Sequence, residues 1–264
     1  MKHKKACNTF LIVGPPKEGL TITPLHHYTK IMTEYTQPQE LAVGGSSDAW
    51  KLFRIISEFV DGFETMSKIG PSISIFGSSR LPKSSPYYHT AIEVASKLAK
   101  RGFSIITGAG PSIMEAANKG AQEAKGPSCG LIVDLPFELE PNRYIDAKLR
   151  LRFRYFFTRK VMFVRYAQGF IFLPGGYGTM DELFEVLTLI QTKKTMPTPV
   201  YLMGVSYWKG LIQWIKEVAV PHKCIAKHDL DLFILTDDVN EVIEGLDQAY
   251  KDRLKVLGAT VAAT

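Results

Sequence analysis

The sequence predicts an α/β fold, a Rossmann-like doubly wound parallel sheet with helices on both faces, together with an N-terminal arm and helix. From residue 72 onward, short β-rich runs alternate with helix-length amphipathic segments. The strand-like runs are almost continuously apolar, as expected of strands that are buried on both faces. Such alternation indicates a parallel sheet that is covered by helices.

The elements follow one another in a regular order. The predicted strands are 72–76, 103–106, 129–133, 170–173, 200–203 and 232–235. The predicted helices are 49–66, 87–101, 112–125, 155–167, 179–193, 207–220 and 238–254. Helix 87–101 illustrates the pattern, because Ile92, Ala95, Leu98 and Ala99 fall on one of its faces.

The chain is expected to hold one main domain. Residues 1–45 contain Pro, Gly and polar residues with little periodicity, which is typical of an irregular arm. Residues 46–68 are expected to form a helix that packs on the core or on a partner subunit. Residues 69–257 are assigned to the Rossmann-like domain, and residues 258–264 to a C-terminal tail.

Composition narrows the class of protein. The hydrophobic content of 45% and the charged content of 22% are ordinary for a globular protein, and no apolar stretch reaches bilayer-crossing length. We therefore expect a cytoplasmic protein with no membrane partner. The three cysteines and the histidines lack metal-ligand spacing, so no metal is expected. The net charge of +6 suits a phosphorylated substrate, and since no nucleic-acid module is evident we expect no nucleic-acid partner.

Three turns rich in small residues follow predicted strands, at 77–80, 108–112 and 175–179. Ligands of open parallel sheets bind beyond the carboxyl ends of the strands, so the three turns are expected to meet at one crevice. None of them contains a Walker lysine or spells G-x-G-x-x-G, which disfavours nucleoside triphosphate and dinucleotide sites. A single phosphate held by backbone N–H groups and hydroxyls fits better.

The third turn belongs to the most informative stretch of the chain. Residues 174–182 read Pro-Gly-Gly-Tyr-Gly-Thr-Met-Asp-Glu, between an apolar strand and a long helix. Its glycines allow a ligand to approach the backbone closely, and the helix N-terminus favours an anion.

Two glutamates, Glu115 and Glu182, stand three residues after Ser112 and Thr179. This spacing is that of a capping box, in which the glutamate folds back on the backbone at the start of the helix. The alternative is a carboxylate in the crevice that acts as acid, base or cation stabiliser. Glu182 is the stronger candidate for that role, with Asp181 beside it as a second carboxylate.

Arg159 and Lys160 lie on the helix before the 174–182 stretch. Such pairs are usually solvated surface charges. This helix is so apolar, however, that a charge on it is expected to have a partner, and arginine's planar fork suits a phosphate or a carboxylate.

Together these residues resemble the LOG ("lonely guy") family of nucleoside monophosphate phosphoribohydrolases, many bacterial members of which are labelled lysine decarboxylase-like. The motifs that carry the resemblance are 174–182, the Arg-Lys pair at 159–160, Gly77-Ser78-Ser79 and Gly110-Pro111 with Ile113-Met114-Glu115-Ala116-Ala117. The run Phe153-Arg154-Tyr155-Phe156-Phe157 is similar to the longer bacterial branch.

The resemblance implies that Arg159 and Glu182 are the catalytic pair, with no cofactor. It implies that the substrate-binding residues are Lys160, Gly175, Gly176, Tyr177, Gly178, Thr179, Thr188, Gly77, Ser78, Gly108, Gly110, Met114 and Glu115. The chain departs from the family at Ala109, where a third glycine is usual and where alanine would tighten that wall. The family's ligand contact after Leu135-Pro136 is not clearly matched, and Glu138 or Asn142 could fill it.

The implied reaction hydrolyses the N-glycosidic bond of an AMP-like nucleoside 5′-monophosphate, releasing adenine or an N6-substituted, cytokinin-type adenine and ribose 5-phosphate. The family also implies a homo-oligomer. One alternative is a nucleotide or molybdenum-cofactor carrier of the same fold, although a carrier of an anion gains nothing from a carboxylate in its site. An amino-acid decarboxylase is disfavoured, because no pyridoxal-phosphate lysine site is recognised.

Overall fold

The computed structural model describes residues 46–135 and 140–262 of the chain. Its helices are α1 (Ser46–Met66), α2 (Pro86–Lys100), α3 (Ile113–Glu123), α4 (Phe156–Tyr166), α5 (Tyr177–Gln191), α6 (Val205–Trp214) and α7 (Val239–Ala262). Its strands are β1 (Ser72–Phe76), β2 (Ser104–Thr107), β3 (Ser128–Val133), β4 (Arg150–Phe153), β5 (Ala167–Phe172), β6 (Val200–Met203) and β7 (Ile234–Thr236). The described residues also include two 3-10 helices, Ala147–Leu149 and Lys227–Leu232, and a π-helical turn, Ile215–Ala219.

The strands of the described ranges form one parallel sheet in the order β4-β3-β2-β1-β5-β6-β7. From β1 the chain adds strands in one direction as far as β4, and then returns to place β5 on the other side of β1. The boundary between β1 and β5 is therefore the switch point at which open α/β sheets bind ligands. The predicted Rossmann-like α/β fold is confirmed.

Helices cover both faces of this sheet. Helices α2, α3 and α7 pack on one face through a cluster that includes Ile73, Ile105 and Ile171. Helices α4, α5 and α6 pack on the other through a cluster that includes Phe172 and Trp208. Successive strand residues point to opposite faces, so strands buried on both sides need the nearly continuous apolar sequence from which they were predicted.

Helix α4 is fixed to the sheet by polar contacts as well. The buried hydroxyl of Ser74 in β1 donates to the carbonyl of Phe163 at 3.1 Å, and that of Ser72 donates to the carbonyl of Tyr166 at 2.7 Å. On its outer side, Glu58 of α1 accepts hydrogen bonds from the Arg154 backbone N–H at 2.9 Å and from the Thr158 hydroxyl at 2.6 Å. The bonds from Ser72 and Ser74 tie the second half of α4 to the sheet, and the bonds to Glu58 hold its start. Arg159 lies between these two sets of contacts.

The predicted elements are present with shifts of a few residues at their ends, but one strand was missed. Strand β4 pairs with β3 at the sheet edge, and its Arg150 and Arg152 are exposed. Arginine alternates with apolar residues along this strand, and charges on an edge strand are a common protection against aggregation. Helix α7 also continues to Ala262, past the predicted end at Leu254.

No helix in residues 46–135 or 140–262 combines the length and the apolarity needed to span a membrane. The predicted arm, residues 1–45, lies outside the described residues.

Candidate active site

A cavity of about 770 Å³ opens at the carboxyl ends of β1, β2 and β5. The three predicted turns all contribute to it, so the structure brings them together as expected. The predicted site residues among its lining are Gly77, Ser78, Gly108, Gly110, Met114, Arg159, Gly175, Gly176, Tyr177, Gly178, Thr179 and Glu182. Ala109 and Pro141 also line it, with Phe156, Phe163 and Tyr207.

Backbone hydrogen bonds join the three turns. The Ser78 N–H donates to the carbonyl of Pro174 at 2.9 Å, and the Ser78 carbonyl accepts from the Ile113 N–H at 3.1 Å. The hydroxyl of Tyr207, on α6, donates to the carbonyl of Gly175. The turns are therefore one connected frame, which is the rigid support that a preorganised site needs.

The glycines of the third turn serve two purposes. A Cβ on Gly175 would overlap the side chain of Thr179, so the protein's own packing excludes a side chain there. A Cβ on Gly176 or Gly178 would meet no atom within 4 Å. At these two positions the absence of a side chain leaves open backbone at the start of α5, where an anion is favoured.

Neither predicted capping box is formed. Helix α5 begins at Tyr177, so Thr179 lies inside the first turn instead of capping it. At α3, the Ser112 hydroxyl donates to the Leu81 carbonyl, while Glu115 pairs with Lys83 at 2.8 Å. The capping explanation for the glutamates is thereby wrong in both places.

Glu182 and Arg159 face one another inside the cavity. Glu182 Oε1 lies 3.9 Å from Arg159 Nη2, with side-chain exposures of 6% and 13%. This separation is an ion pair but is too long for a hydrogen bond. Glu182 Oε2 and Arg159 Nε have no hydrogen-bond partner among the described residues. Buried polar atoms are rarely left unpaired, so this pair has capacity to bind a further polar group.

Aromatic rings hold the arginine. The guanidinium carbon of Arg159 lies 5.1 Å from the ring centre of Phe156 and 5.6 Å from that of Phe163. Cation–π contacts of this kind stabilise a charge that has been removed from water. They explain how so apolar a helix carries a buried arginine.

Burial shifts the pKa of both groups. Burial raises the pKa of Glu182 to about 7, although the charges of Arg159 and Lys160 act in the opposite direction. Burial also lowers the pKa of Arg159, an effect that Glu182 and Asp181 partly offset. A carboxyl group that titrates near neutrality, next to a cation in a cleft, is typical of catalytic sites.

Three of the predicted substrate-binding residues lie outside the cavity lining. Lys160 Nζ pairs with Asp181 at 2.9 Å and with Glu185 at 3.1 Å, so it joins α4 to α5. The hydroxyl of Thr188 donates to the backbone of its own helix, at the Phe184 carbonyl. Glu115 is engaged by Lys83, as described above. All three side chains are engaged by groups of the protein itself, and their contact with a ligand stays a prediction.

Sequence reasoning missed several residues of the cavity. Ser79 and Arg80 lie within the first predicted turn but were not among the predicted substrate-binding residues. Ile132, Val133 and Leu135 form an apolar wall at the end of β3. Tyr207 has no local signal, because it comes from a helix that follows a different strand.

Glu138 and Asn142 were the two candidates for the family's ligand contact after Leu135-Pro136. Glu138 lies outside the described residues. The side chain of Asn142 does not line the cavity, and its amide nitrogen contacts the Ala109 carbonyl at 3.1 Å and the Gly110 carbonyl at 3.2 Å.

No group of three or more His, Cys, Asp or Glu side chains within residues 46–135 and 140–262 is arranged to hold a metal ion. The chemistry that these residues offer is that of an anion-binding turn next to a buried carboxylate and a guanidinium. Such a site can hold a phosphate at one end and stabilise developing positive charge at the other.

Comparisons with known proteins find relatives of this chain. The family model described as "Possible lysine decarboxylase" matches residues 114–246, just over half of the chain. Cytokinin riboside 5′-monophosphate phosphoribohydrolase LOG4 of Arabidopsis thaliana is 28% identical over 191 residues, covering 70% of this chain and 86% of the relative. The corresponding enzyme LOG of Oryza sativa subsp. japonica is 26% identical over 185 residues, covering 67% and 72%.

Solved structures share the fold. The protein TM1055 superimposes with a TM-score of 0.52 at 22% identity, covering 67% of this chain and 99% of that one. The molybdenum cofactor carrier protein of Chlamydomonas reinhardtii gives a TM-score of 0.50 at 19% identity, covering 69% and 98%. At these identities the likeness concerns architecture alone.

Proposed function

Because this chain belongs to the LOG family, whose model is described as "Possible lysine decarboxylase", we propose that it is a nucleoside 5′-monophosphate phosphoribohydrolase. The reaction would cleave the N-glycosidic bond of AMP or of an N6-substituted, cytokinin-type AMP. Relatives named cytokinin riboside 5′-monophosphate phosphoribohydrolases, at 26–28% identity, support this class of substrate.

The observation that carries the proposal is the position of Glu182 at the N-terminal end of α5. The same helix start that offers an anion site also places a buried carboxylate 3.9 Å from Arg159. Cleavage of a glycosidic bond builds positive charge on the sugar, as in glycoside hydrolysis. A substrate whose phosphate occupies the turn at 175–179 would present its sugar to this carboxylate.

Each part of the site then has a role. The turn at 175–179 binds the 5′-phosphate and fixes the nucleotide. Ionised Glu182 stabilises the oxocarbenium-like sugar and orients the attacking water, which forms a bond to C1′ as the bond from C1′ to the base nitrogen breaks. The electron pair leaves with the base, which takes up the proton that the attacking water gives up. Arg159 anchors the nucleotide and helps to position it. The apolar wall of Ile132, Val133 and Leu135 suits a base.

A pyridoxal-phosphate decarboxylase is not supported by the cavity. That chemistry requires a lysine to form the Schiff base with the cofactor. The described residues that line the cavity include no lysine. The nearby Lys160 and Lys83 are each engaged with carboxylates.

The test is the release of free base from AMP and from isopentenyladenosine monophosphate, followed by chromatography. Wild-type protein is expected to release base and ribose 5-phosphate, and Glu182→Gln to lose at least about 100-fold in rate, the order of effect that a stabilising or proton-transfer group supplies. Glu123→Gln is the matched control, since Glu123 is an exposed glutamate of α3 that pairs with Lys119. Tight nucleotide binding without turnover would instead indicate a carrier.

A further inference from the structure

The second turn of the site is held from outside the cavity by a network of buried amides. Asn142 donates through its backbone N–H to the Ala109 carbonyl at 2.9 Å, and through its side-chain amide to the Ala109 and Gly110 carbonyls at 3.1 and 3.2 Å. The same amide contacts Asn118 Oδ1 at 2.9 Å. Asn118 is fully buried and Asn142 is 9% exposed. The carbonyls of Ala109 and Gly110 are therefore held from the side of the turn that faces away from the cavity.

Thr107 supports the turn from the end of β2. Its hydroxyl oxygen accepts from the Ala109 N–H at 3.0 Å and donates to Asn118 Oδ1 at 2.6 Å. Ala109 has φ of +66°, a left-handed conformation that alanine adopts only where its surroundings impose it. The network supplies that constraint, which explains how alanine is accommodated where the family usually has glycine.

The direction of one N–H group follows from these contacts. The Ala109–Gly110 peptide is trans, so its N–H points opposite to its carbonyl. Because Asn142 holds the carbonyl, the Gly110 N–H is directed to the opposite side, where Ala109 and Gly110 line the cavity. This N–H has no acceptor among the described residues.

The second turn lies beside the catalytic pair. A Cβ on Gly108 would stand 3.8 Å from Arg159 Nη1. If Arg159 and Glu182 act on the glycosidic bond, the atoms next to this turn belong to the sugar, since the phosphate occupies the turn at 175–179.

We propose that Asn142 is a positioning residue that presents the Gly110 N–H to a ribose hydroxyl of the substrate. The proposal rests on the proposed function, because it takes the substrate to be a nucleoside 5′-monophosphate. Hydrogen bonds to sugar hydroxyls strengthen as positive charge develops on the ring, so a misplaced Gly110 N–H lowers kcat as well as affinity.

The experiment compares Asn142→Asp with wild type on AMP, 2′-deoxyAMP and 3′-deoxyAMP. Aspartate keeps the shape and the acceptor for the Tyr144 N–H, but it removes both amide donors and sets an oxygen against the Ala109 and Gly110 carbonyls and Asn118 Oδ1. The expected loss in kcat/KM on AMP is about tenfold, as for one lost hydrogen bond. The loss is expected to vanish on the deoxy analogue that lacks the bonded hydroxyl. Equal losses on all three nucleotides would overturn the proposal.

Thr107→Val is the second variant, because it removes the support for Ala109 without touching Asn142. It is expected to show the same selectivity among the three nucleotides. Ser104→Ala is its matched control: Ser104 is buried in the same strand and donates to the Ile69 carbonyl, away from the turn. It is expected to lower the melting temperature without changing the ratio between nucleotides. If Asn142→Asp fails to fold, Thr107→Val decides.

Different experimental results would contradict this inference and the proposed function. If wild type binds nucleotides but releases no base, the proposed function fails, and calorimetric binding of the same three nucleotides to wild type and variants still tests the hydrogen bond. If wild type releases base and the variants lose equally on all three, only the inference fails. Absence of binding and of turnover contradicts both.

Discussion

Arg159 and Glu182 approach within 3.9 Å inside the cavity, yet each keeps one polar atom for which the described residues offer no partner. Two opposite charges that are buried together usually complete their hydrogen bonds with each other or with neighbours. Here Phe156 and Phe163 hold the guanidinium in place without using its N–H groups. These unpaired atoms distinguish the Arg159–Glu182 pair from an ion pair with a purely structural role.

Activity is expected to rise with pH through the ionisation of Glu182. The proposed role requires the carboxylate, and the pKa of this group is raised to about 7 by burial. We expect kcat/KM for AMP to fall below that pH and to level off above it. The rate is measured in overlapping buffers, and Glu182→Gln should leave a low rate without this dependence. A maximal rate at acidic pH would contradict the role.

The contribution of Glu182 to the free energy of unfolding is expected to fall as the pH rises, whereas the activity is expected to rise. The folded protein binds the Glu182 proton more tightly than the unfolded chain does, because the pKa rises from 4.5 to about 7 on folding. This contribution to the free energy of unfolding is complete below 4.5 and is lost as the pH rises through 7. Urea unfolding at pH 5 and at pH 8 measures it.

In Glu182→Gln the difference between those two unfolding free energies is expected to change by up to about 3 kcal/mol, since one pKa unit corresponds to roughly 1.4 kcal/mol. Glu123→Gln is the control and should leave the difference unaltered. An identical pH dependence in Glu182→Gln and wild type would show that this carboxyl group is not perturbed.

Lys160→Met is expected to shift the pH–rate profile to higher pH. Lys160 lies between Asp181 and Glu185, and its charge holds down the pKa of Glu182. Methionine preserves the length of the side chain but leaves these carboxylates without their cation, so Glu182 should ionise at a higher pH. Lys97→Met, which removes an exposed pair with Glu93, is the control. A raised KM for AMP with an unmoved profile would favour direct substrate binding by Lys160 instead.

Tyr207→Phe is expected to weaken nucleotide binding. The Tyr207 hydroxyl fixes the Gly175 carbonyl, and a released peptide would no longer hold its N–H toward the phosphate. We expect KM for AMP to rise about fivefold, the magnitude of one net hydrogen bond, with a smaller change in kcat. Tyr87→Phe is the matched control, because its hydroxyl contacts Ser206, outside the cavity lining. Equal KM values for the two variants would contradict this role of Tyr207.

Much of the fold could be predicted from local pattern. Runs such as 170–173 and 200–203 are apolar throughout because the strands are covered on both faces. Strand β4 could not be found in this way. It lies at the sheet edge, and an edge strand that exposes Arg150 and Arg152 has no apolar run to reveal it.

For the site, the sequence by itself determined the turns at 77–80, 108–112 and 175–179 and the candidates Arg159 and Glu182, because residue type and local spacing carry that information. Only the tertiary structure decided which side chains share the cavity. It starts α5 at Tyr177, which removes the capping explanation for Glu182, and it directs Lys160 to Asp181. Side-chain direction and burial depend on packing between elements that are distant in the chain. No local spacing encodes them.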